Sequence, residues 1–222
     1  MNNVSVNPNQ VRTDRGPFGL PRGLSGRVAG RLMASNDAQQ RELAQHIDLP
    51  QRGTVCEVGY GPGVLLRLLR ARFPQVTFAG ADPSSVMFNQ ATRTNRPRRS
   101  VAPAMDLRVA AAGQLPFTDD SFDVTIAVNN TQFWPDLAAG LDEMRRVTRP
   151  GGQVLVAWHG GSTPSGIQRR LLLKPDELAG IAAAMTTHVG EVELESLTFS
   201  ELFTARVGLD RDVVVPVGDT AS

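Results

Sequence analysis

A carboxylate and three glycines lie where an apolar run gives way to a helical pattern. Residues 54–69 read Thr-Val-Cys-Glu-Val-Gly-Tyr-Gly-Pro-Gly and then Val-Leu-Leu-Arg-Leu-Leu. This order predicts a buried strand, a glycine turn and a helix. Gly59, Gly61 and Gly63 let the backbone approach a ligand closely, and the helix that follows presents free N–H groups to it. The stretch therefore predicts a site for a nucleotide-like ligand.

The spacing of these glycines narrows the choice of ligand. The sixth position of a dinucleotide fingerprint is occupied by Val64 instead of glycine, which weakens a nicotinamide or flavin interpretation. Glu57 precedes the first glycine at the predicted strand end, where a carboxylate suits a cationic group better than a pyrophosphate. S-adenosylmethionine carries an ammonium and a sulfonium, so it is the predicted ligand.

A second carboxylate follows at the end of the next predicted strand. Asp82 lies where it could accept hydrogen bonds from both hydroxyls of a ribose. The alternative is that Asp82 only caps the helix that begins near Ser84. The ligand role is favoured because the spacing and the strand end agree.

Short apolar strands alternate with helical segments through the middle of the chain, which predicts a parallel sheet buried on both faces. The predicted strands are Thr54–Val58, Thr77–Ala81, Leu107–Ala111, Val124–Val128 and Gln153–Trp158, and the helices are Val64–Arg72, Ser84–Thr94 and Asp136–Val147. A helix over Lys174–Met185 and a hairpin of Val192–Phe199 with Leu202–Val207 complete the pattern. The predicted fold class is α/β: a Rossmann-like, doubly wound, mostly parallel seven-stranded sheet with an antiparallel C-terminal hairpin.

Helical spacing also precedes the first strand. Ser25–Ala34 and Ala38–Ile47 are predicted as two short N-terminal capping helices, with Asn36-Asp37 as a cap between them. Helices at this point of the chain could cover a cleft at the end of the first strand.

Composition excludes several classes of function. Lys and Arg number 23 against 22 Asp and Glu, a formal net charge of +1, so no overall field favours nucleic acid or an anionic membrane. The basic cluster of Arg93, Arg96, Arg98 and Arg99 has no interleaved aromatic residues and is interpreted as solvated surface. No segment approaches the roughly 18 apolar residues of a membrane span. The sole cysteine, Cys56, fits a reducing compartment, so a cytoplasmic location is expected.

The three histidines do not indicate a metal site. His46, His159 and His188 have no metal-ligand spacing with each other or with Cys56. We therefore expect no metal, and the sequence leaves a homo-oligomer open.

Further motifs turn the pattern into a family resemblance. Residues 110–117 read Ala-Ala-Ala-Gly-Gln-Leu-Pro-Phe, residues 119–126 read Asp-Asp-Ser-Phe-Asp-Val-Thr-Ile, and residues 149–152 read Arg-Pro-Gly-Gly. With the glycine turn they make four motifs in order over about residues 55–158. The chain resembles the class I S-adenosylmethionine-dependent methyltransferases, in particular the small-molecule branch of the ubiquinone and menaquinone biosynthesis methyltransferases.

The resemblance implies a cofactor site. In that family the acid of the first motif engages the methionine amino group through nearby backbone and water, and the acid after the second strand holds the ribose. The cofactor-binding residues so expected are Glu57, Gly59, Tyr60, Gly61, Gly63, Asp82, Pro83, Ala111, Ala112 and Asn129. The expected domain organisation is a flexible N-terminal arm (1–21), N-terminal capping helices (22–50), an S-adenosylmethionine-binding methyltransferase domain (51–208) and a C-terminal tail (209–222).

Four of these positions depart from the family pattern or have an alternative interpretation. The family usually has Asp-Ala where this chain has Ala111-Ala112, so the side-chain contact to adenine is lost and weaker or differently organised adenine recognition is expected. Asn129 matches a contact to the methionine part of the cofactor, although Asn is also common in strand-end turns. Tyr60 could line the cofactor pocket, or it could pack on the first helix of the domain.

The expected activity is in-line methyl transfer to a small-molecule oxygen, nitrogen or carbon atom. Such transfer depends on alignment and dryness, and a base is needed only if the acceptor arrives protonated. His159 is the candidate base, or else a polar strand-end residue without a proton to move. Phe133 and Trp134 could form an aromatic wall for the acceptor, although packing under the N-terminal helices is favoured. The alternative function is a binding protein for the cofactor that lacks turnover.

Overall fold

The computed structural model describes residues 37–96, 104–164, 169 and 171–209. Seven strands form one sheet: β1 Thr54–Val58, β2 Thr77–Asp82, β3 Asp106–Val109, β4 Phe122–Val128, β5 Thr148–His159, β6 Val192–Ser196 and β7 Ser200–Arg206. The described helices are α1 Asp37–His46, α2 Val64–Arg72, α3 Ser85–Thr94, α4 Leu137–Val147 and α5 Pro175–His188, with a 3₁₀ turn at Thr131–Phe133.

The strand order across the sheet is β3-β2-β1-β4-β5-β7-β6. Strands β1 to β5 pair in parallel, and β7 inserts antiparallel between β5 and β6. This confirms the predicted fold class. The order reverses between β1 and β4, which is the switch point where open α/β sheets bind ligands beyond the carboxyl ends of their strands.

Each face of the sheet has its own apolar core, as expected of parallel strands whose two faces are both covered. Helices α1, α2 and α3 contribute Leu43, Leu66 and Met87 to one core. Helices α4 and α5 contribute Met144 and Met185 to the other. Two apolar layers hold the carboxyl ends of β1 to β5 at one edge.

Helix α1 is one of the two predicted capping helices. The Arg72 guanidinium donates to the carbonyls of Ala44, Gln45 and Ile47 at 2.9, 2.6 and 2.9 Å, which satisfies C-terminal carbonyls of α1. The Glu42 carboxylate accepts from backbone N–H groups in the β6–β7 turn, at 2.8 Å from Thr198. The expected helix Ser25–Ala34, the Asn36 cap, the arm and most of the tail lie outside the described residues.

Several element ends differ from expectation by a few residues, and two of these differences have a local cause. Strand β5 begins at Thr148 because the Arg-Pro-Gly-Gly segment continues the sheet: Gly151 has φ 78° and its N–H donates to the Val207 carbonyl at 2.9 Å. Strand β3 ends at Val109 because the chain turns at Ala111, whose carbonyl accepts from the Gln114 N–H at 3.1 Å. Within the described ranges, no helix combines the length and apolar character of a membrane span.

Two helical glycines provide a matched test of packing. A Cβ on Gly140 of α4 would lie 2.2 Å from Cε3 of Trp134, whereas a Cβ on Gly180 of α5 would meet no described atom within 4 Å. We expect Gly140→Ala to destabilise the fold by about 1–3 kcal/mol through overpacking. Gly180→Ala should stabilise it by about 0.5–1 kcal/mol through helix propensity. Thermal unfolding of both variants measures this, and equal effects would contradict the described position of Trp134.

Candidate functional site

The glycine turn between β1 and α2 has different neighbours at its ends and its centre. All three glycines have positive φ, 72° at Gly59, 51° at Gly61 and 73° at Gly63. A Cβ on Gly59 would lie 2.2 Å from Nδ2 of Asn130, and one on Gly63 would lie 2.5 Å from Nδ2 of Asn95. A Cβ on Gly61 would meet nothing within 4 Å among the described atoms. The ends of the turn are therefore glycine because of packing, and its centre opens onto space that a ligand could use.

Glu57 lies below this turn with its side chain buried at 4% exposure. Its carboxylate accepts a hydrogen bond from the Leu66 N–H in the first turn of α2, so it caps that helix. Among the described residues Oε2 has no hydrogen-bond partner. Burial, and then the nearby charge of Asp82, raise the pKa of Glu57 well above its usual value. An acid in such surroundings is stabilised by a cation.

Asp82 joins the glycine turn to the start of α3. Oδ2 accepts from the Gly61 N–H at 2.9 Å and Oδ1 accepts from the Ser84 N–H at 2.8 Å. The N-cap of α3 is Ser84, whose hydroxyl accepts from the Met87 N–H at 3.4 Å, so Asp82 does not take that position. Burial raises the pKa of Asp82 although these two hydrogen bonds lower it. Each carboxylate oxygen keeps a further lone pair for a ligand hydroxyl.

The segment after β3 lies beside Asp82, because the Ala110 N–H donates to the Asp82 carbonyl at 3.2 Å. Ala111 is exposed and Ala112 is buried, and Pro83, the residue after Asp82, is exposed. Neither alanine can provide a polar side-chain contact, so only backbone groups of this segment can recognise a base.

Two asparagines follow β4 and connect it with β1 and α1. Asn129 has φ 55°, and its Nδ2 donates to Oε1 of Gln39 at 2.8 Å. Asn130 Nδ2 donates to the carbonyls of Val58 and Gly59 at 2.7 and 3.2 Å. Gln39 and Asn130 were not among the site residues predicted from sequence. A glutamine on the apolar face of α1, four residues before Leu43, and a second asparagine at a strand end were the signals that could have found them.

Comparisons with known proteins agree with this geometry. Residues 56–156 match the model of the methyltransferase domain family. Over 124 residues, 56% of the chain, 32% are identical to phosphatidylethanolamine N-methyltransferase of Cereibacter sphaeroides, and over 121 residues, 53% of the chain, 33% are identical to the ubiquinone/menaquinone biosynthesis C-methyltransferase of Geotalea daltonii. The matches span 59% and 50% of those relatives' own lengths.

The fold is also shared with a solved structure. Geranyl diphosphate C-methyltransferase of Streptomyces coelicolor, solved with S-adenosylhomocysteine, superposes with a TM-score of 0.59 at 16% identity, over 87% of this chain and 88% of that one. Residues 56–156 therefore belong to the methyltransferase domain family, and the described part of the chain has the fold of the class I S-adenosylmethionine-dependent methyltransferases. S-adenosylmethionine is the cofactor of that family.

The residues of this methyltransferase fit that cofactor. Oε2 of Glu57 has no hydrogen-bond partner among the described residues, so it can interact with the ammonium or sulfonium group of the cofactor. Open space adjoins Gly61, since a Cβ there would meet no described atom within 4 Å, and the cofactor can approach the backbone at this point. Asp82, which accepts from the Gly61 N–H, can also accept from hydroxyl groups.

Tyr60 lies in the core of the methyltransferase, with 2% of its surface exposed. Its hydroxyl donates to the Arg108 carbonyl at 3.1 Å, and Cδ1 of its ring lies 2.8 Å from the position of a Cβ on Gly80. The Tyr60 side chain therefore has a packing role, as one of the two interpretations expected. Its ring packs on Gly80 of β2, whereas the sequence suggested packing on α2.

The two aromatic residues after β4 are in different surroundings. Trp134 is 6% exposed and packs on Gly140 of α4, so it belongs to the core and not to a position under α1. Phe133 is partly buried, and its ring centroid lies 6.5 Å from that of Trp158. Between β4 and these rings, Gln132 has a buried amide whose oxygen and nitrogen find no partner in the described part of the chain.

His159 ends β5 directly opposite Ser200 of β7. The side chain is buried at 9% exposure, and its ring centroid lies 5.6 Å from that of Trp158. Burial lowers the pKa of His159 from 6.5 to about 4. The imidazole is therefore neutral at pH 7, and it is a much weaker base than an exposed histidine.

The pKa of His159 predicts a pH-dependent stability. The pKa of His159 is lower in the folded protein than in the unfolded chain. Its neutral side chain therefore contributes fully to the free energy of unfolding above pH 6.5, and this contribution is lost as pH falls towards 4. Relative to His159→Gln, the wild type should lose about 3 kcal/mol of unfolding free energy over this range. Urea unfolding of both proteins between pH 7 and pH 4 measures the difference. Parallel curves would contradict burial of a neutral imidazole.

Proposed function

We propose that this methyltransferase binds S-adenosylmethionine over its glycine turn and transfers the methyl group to a small-molecule acceptor. One observation carries the binding site: two buried carboxylates, Glu57 and Asp82, flank a glycine turn whose centre at Gly61 is open. Asn129 and the backbone of Ala111-Ala112 border the same end of the sheet.

The two carboxylates have separate roles in this proposal. Asp82 accepts from the ribose hydroxyls, since Oδ1 and Oδ2 each accept one backbone N–H and can each accept another donor. Glu57 is deeper, and a cation beside it would favour its charged form, so this carboxyl favours the cationic methionine part over a diphosphate. The unusual cost of burying two acids side by side is offset when a cation is bound.

The transfer requires little proton chemistry from the chain. A lone pair of the acceptor forms the new bond to the methyl carbon while the bond from that carbon to sulfur breaks, and the thioether of S-adenosylhomocysteine leaves uncharged. The positive charge passes to the acceptor, which releases its proton to solvent if it carries one. The chain contributes alignment and exclusion of water. If the acceptor atom carries a proton, His159 could accept a hydrogen bond from it, but its lowered pKa favours orientation of the acceptor over full proton removal.

The acceptor is proposed only as a class. One relative is named for N-methylation and the other for C-methylation, so similarity leaves the acceptor atom open. Acceptor contacts are proposed for Phe133, at the carboxyl end of β4, and for the partnerless amide of Gln132 beside it. Trp134 supports this segment from below through its contact with Gly140.

Calorimetry with S-adenosylmethionine and S-adenosylhomocysteine, followed by transfer of a labelled methyl group to a metabolite extract, tests the proposal. Binding of both ligands with a labelled small molecule as product supports it. Binding without any labelled product would support the alternative of a cofactor-binding protein without turnover. Absence of binding would contradict the assigned site.

Replacing Asp82 tests the ribose contact. Asp82→Ala removes a charged acceptor, so we expect the dissociation constant of S-adenosylhomocysteine to rise by roughly 10- to 150-fold, or about 1.5–3 kcal/mol. The matched control is Asp176→Ala on the exposed first turn of α5, which should bind as the wild type does. Calorimetry at one pH and salt concentration compares the three proteins. An unchanged constant in Asp82→Ala would remove Asp82 from the site.

A further inference from the structure

An amide pair links α1 to the carboxyl end of β4. Asn129 Nδ2 donates to Oε1 of Gln39 at 2.8 Å, and Gln39 Nε2 donates to Oδ1 of Asn129 at 3.4 Å, across 90 positions of sequence. Gln39 is fully buried and Asn129 is partly buried. A reciprocal pair of this kind fixes the orientation of both carboxamides, because exchanging either amide nitrogen and oxygen would oppose like atoms.

The backbone of Asn129 is held as tightly as its side chain. Its φ of 55° is a left-handed conformation that few side chains adopt, and its N–H donates to the Ala157 carbonyl at 2.9 Å. The next residue, Asn130, donates to the carbonyls of Val58 and Gly59. Asn129 therefore lies between α1 and the glycine turn, and an unusual conformation held from both sides is typical of functional positions.

We propose that Gln39 is a positioning residue that holds the Asn129 carboxamide towards the amino-acid part of the donor and thereby couples the docking of α1 to donor binding. This inference rests on the proposed function, since it requires the donor to lie over the glycine turn. Gln39 acts through Asn129 and is not assigned a catalytic role.

The coupling follows from the other contacts of α1. Its C-terminal carbonyls accept from Arg72 at the end of α2, and Glu42 accepts from the β6–β7 turn. The Gln39 pair reaches Asn129, a residue of the predicted cofactor site, so it links α1 to that site. A ligand that favours one orientation of Asn129 must also favour the docked position of α1, and the reverse holds by linkage.

Two ligands separate positioning from general damage to the fold. S-adenosylhomocysteine has an amino-acid part, whereas 5′-methylthioadenosine lacks it and keeps the adenosine. Gln39→Ala should weaken binding of S-adenosylhomocysteine by about 5- to 20-fold, from the loss of one hydrogen-bonded pair, and change binding of 5′-methylthioadenosine by less than about 2-fold. Gln45→Ala, an exposed glutamine on the same helix, is the matched control and should leave both constants unchanged.

A second variant guards against failure of Gln39→Ala to fold. Asn129→Gly removes the carboxamide at a position whose φ of 55° suits glycine, so its fold should be retained. Asn129→Gly should weaken the binding of S-adenosylhomocysteine, as Gln39→Ala does. Adding Gln39→Ala to Asn129→Gly should cause no further loss of affinity. Hydrogen exchange of α1 amides should slow on addition of S-adenosylhomocysteine in the wild type but not in Asn129→Gly.

The outcomes distinguish the two proposals. If the wild type binds S-adenosylhomocysteine and Gln39→Ala binds it equally well, or loses both ligands equally, the inference about Gln39 is wrong while the proposed cofactor site stands. Additive losses in the double variant would also contradict it. If the wild type binds neither ligand, the proposed function fails and the role of Gln39 fails with it.

Discussion

The burial of Glu57 beside Asp82 is the constraint on which the site depends. Both carboxyls have raised pKa values, mainly through loss of water. Groups with raised values stabilise the fold at low pH, and this contribution is lost as pH rises through the folded-state values. The fold compensates with backbone donors from Gly61, Ser84 and Leu66. A bound cation would offset the remaining free-energy cost of keeping these carboxylates charged and buried at neutral pH. In the proposed function, the burial that causes this cost therefore also causes the preference for a sulfonium donor.

Much of this arrangement could be predicted from sequence because it is local. Strand, glycine turn and helix follow one another between residues 54 and 72, and the positive φ values at Gly59, Gly61 and Gly63 agree with that pattern. The alternation of strands and helices predicted the sheet, since parallel strands need crossovers. Asp82 lay at a strand end, which topology brings to the same edge as Glu57.

What sequence could not provide was the direction of particular side chains. Tyr60 lies next to two glycines of the turn, yet its ring fills the space left by Gly80, a residue on another strand. Trp134 likewise packs on Gly140, because a helix glycine admits its ring. The pairing of Gln39 with Asn129 joins residues 90 positions apart, and no periodic pattern encodes such a contact. Local rules fix the backbone path, whereas these contacts depend on how the elements pack.

The two ends of the crevice differ in charge, and the chemistry proposed for the chain explains why. Below the donor site lie Glu57 and Asp82, whereas the carboxyl ends of β4 and β5 present neutral Asn129, Gln132 and His159. Displacement from a sulfonium shifts positive charge from sulfur towards the acceptor and separates no opposite charges, so the reacting atoms need little added charge beside them, and a strong charge there would bring water. Neutral amides and an unprotonated imidazole can orient an acceptor while keeping the space dry. In the proposed function, the acidic side therefore serves donor binding, and the neutral side serves alignment of the acceptor.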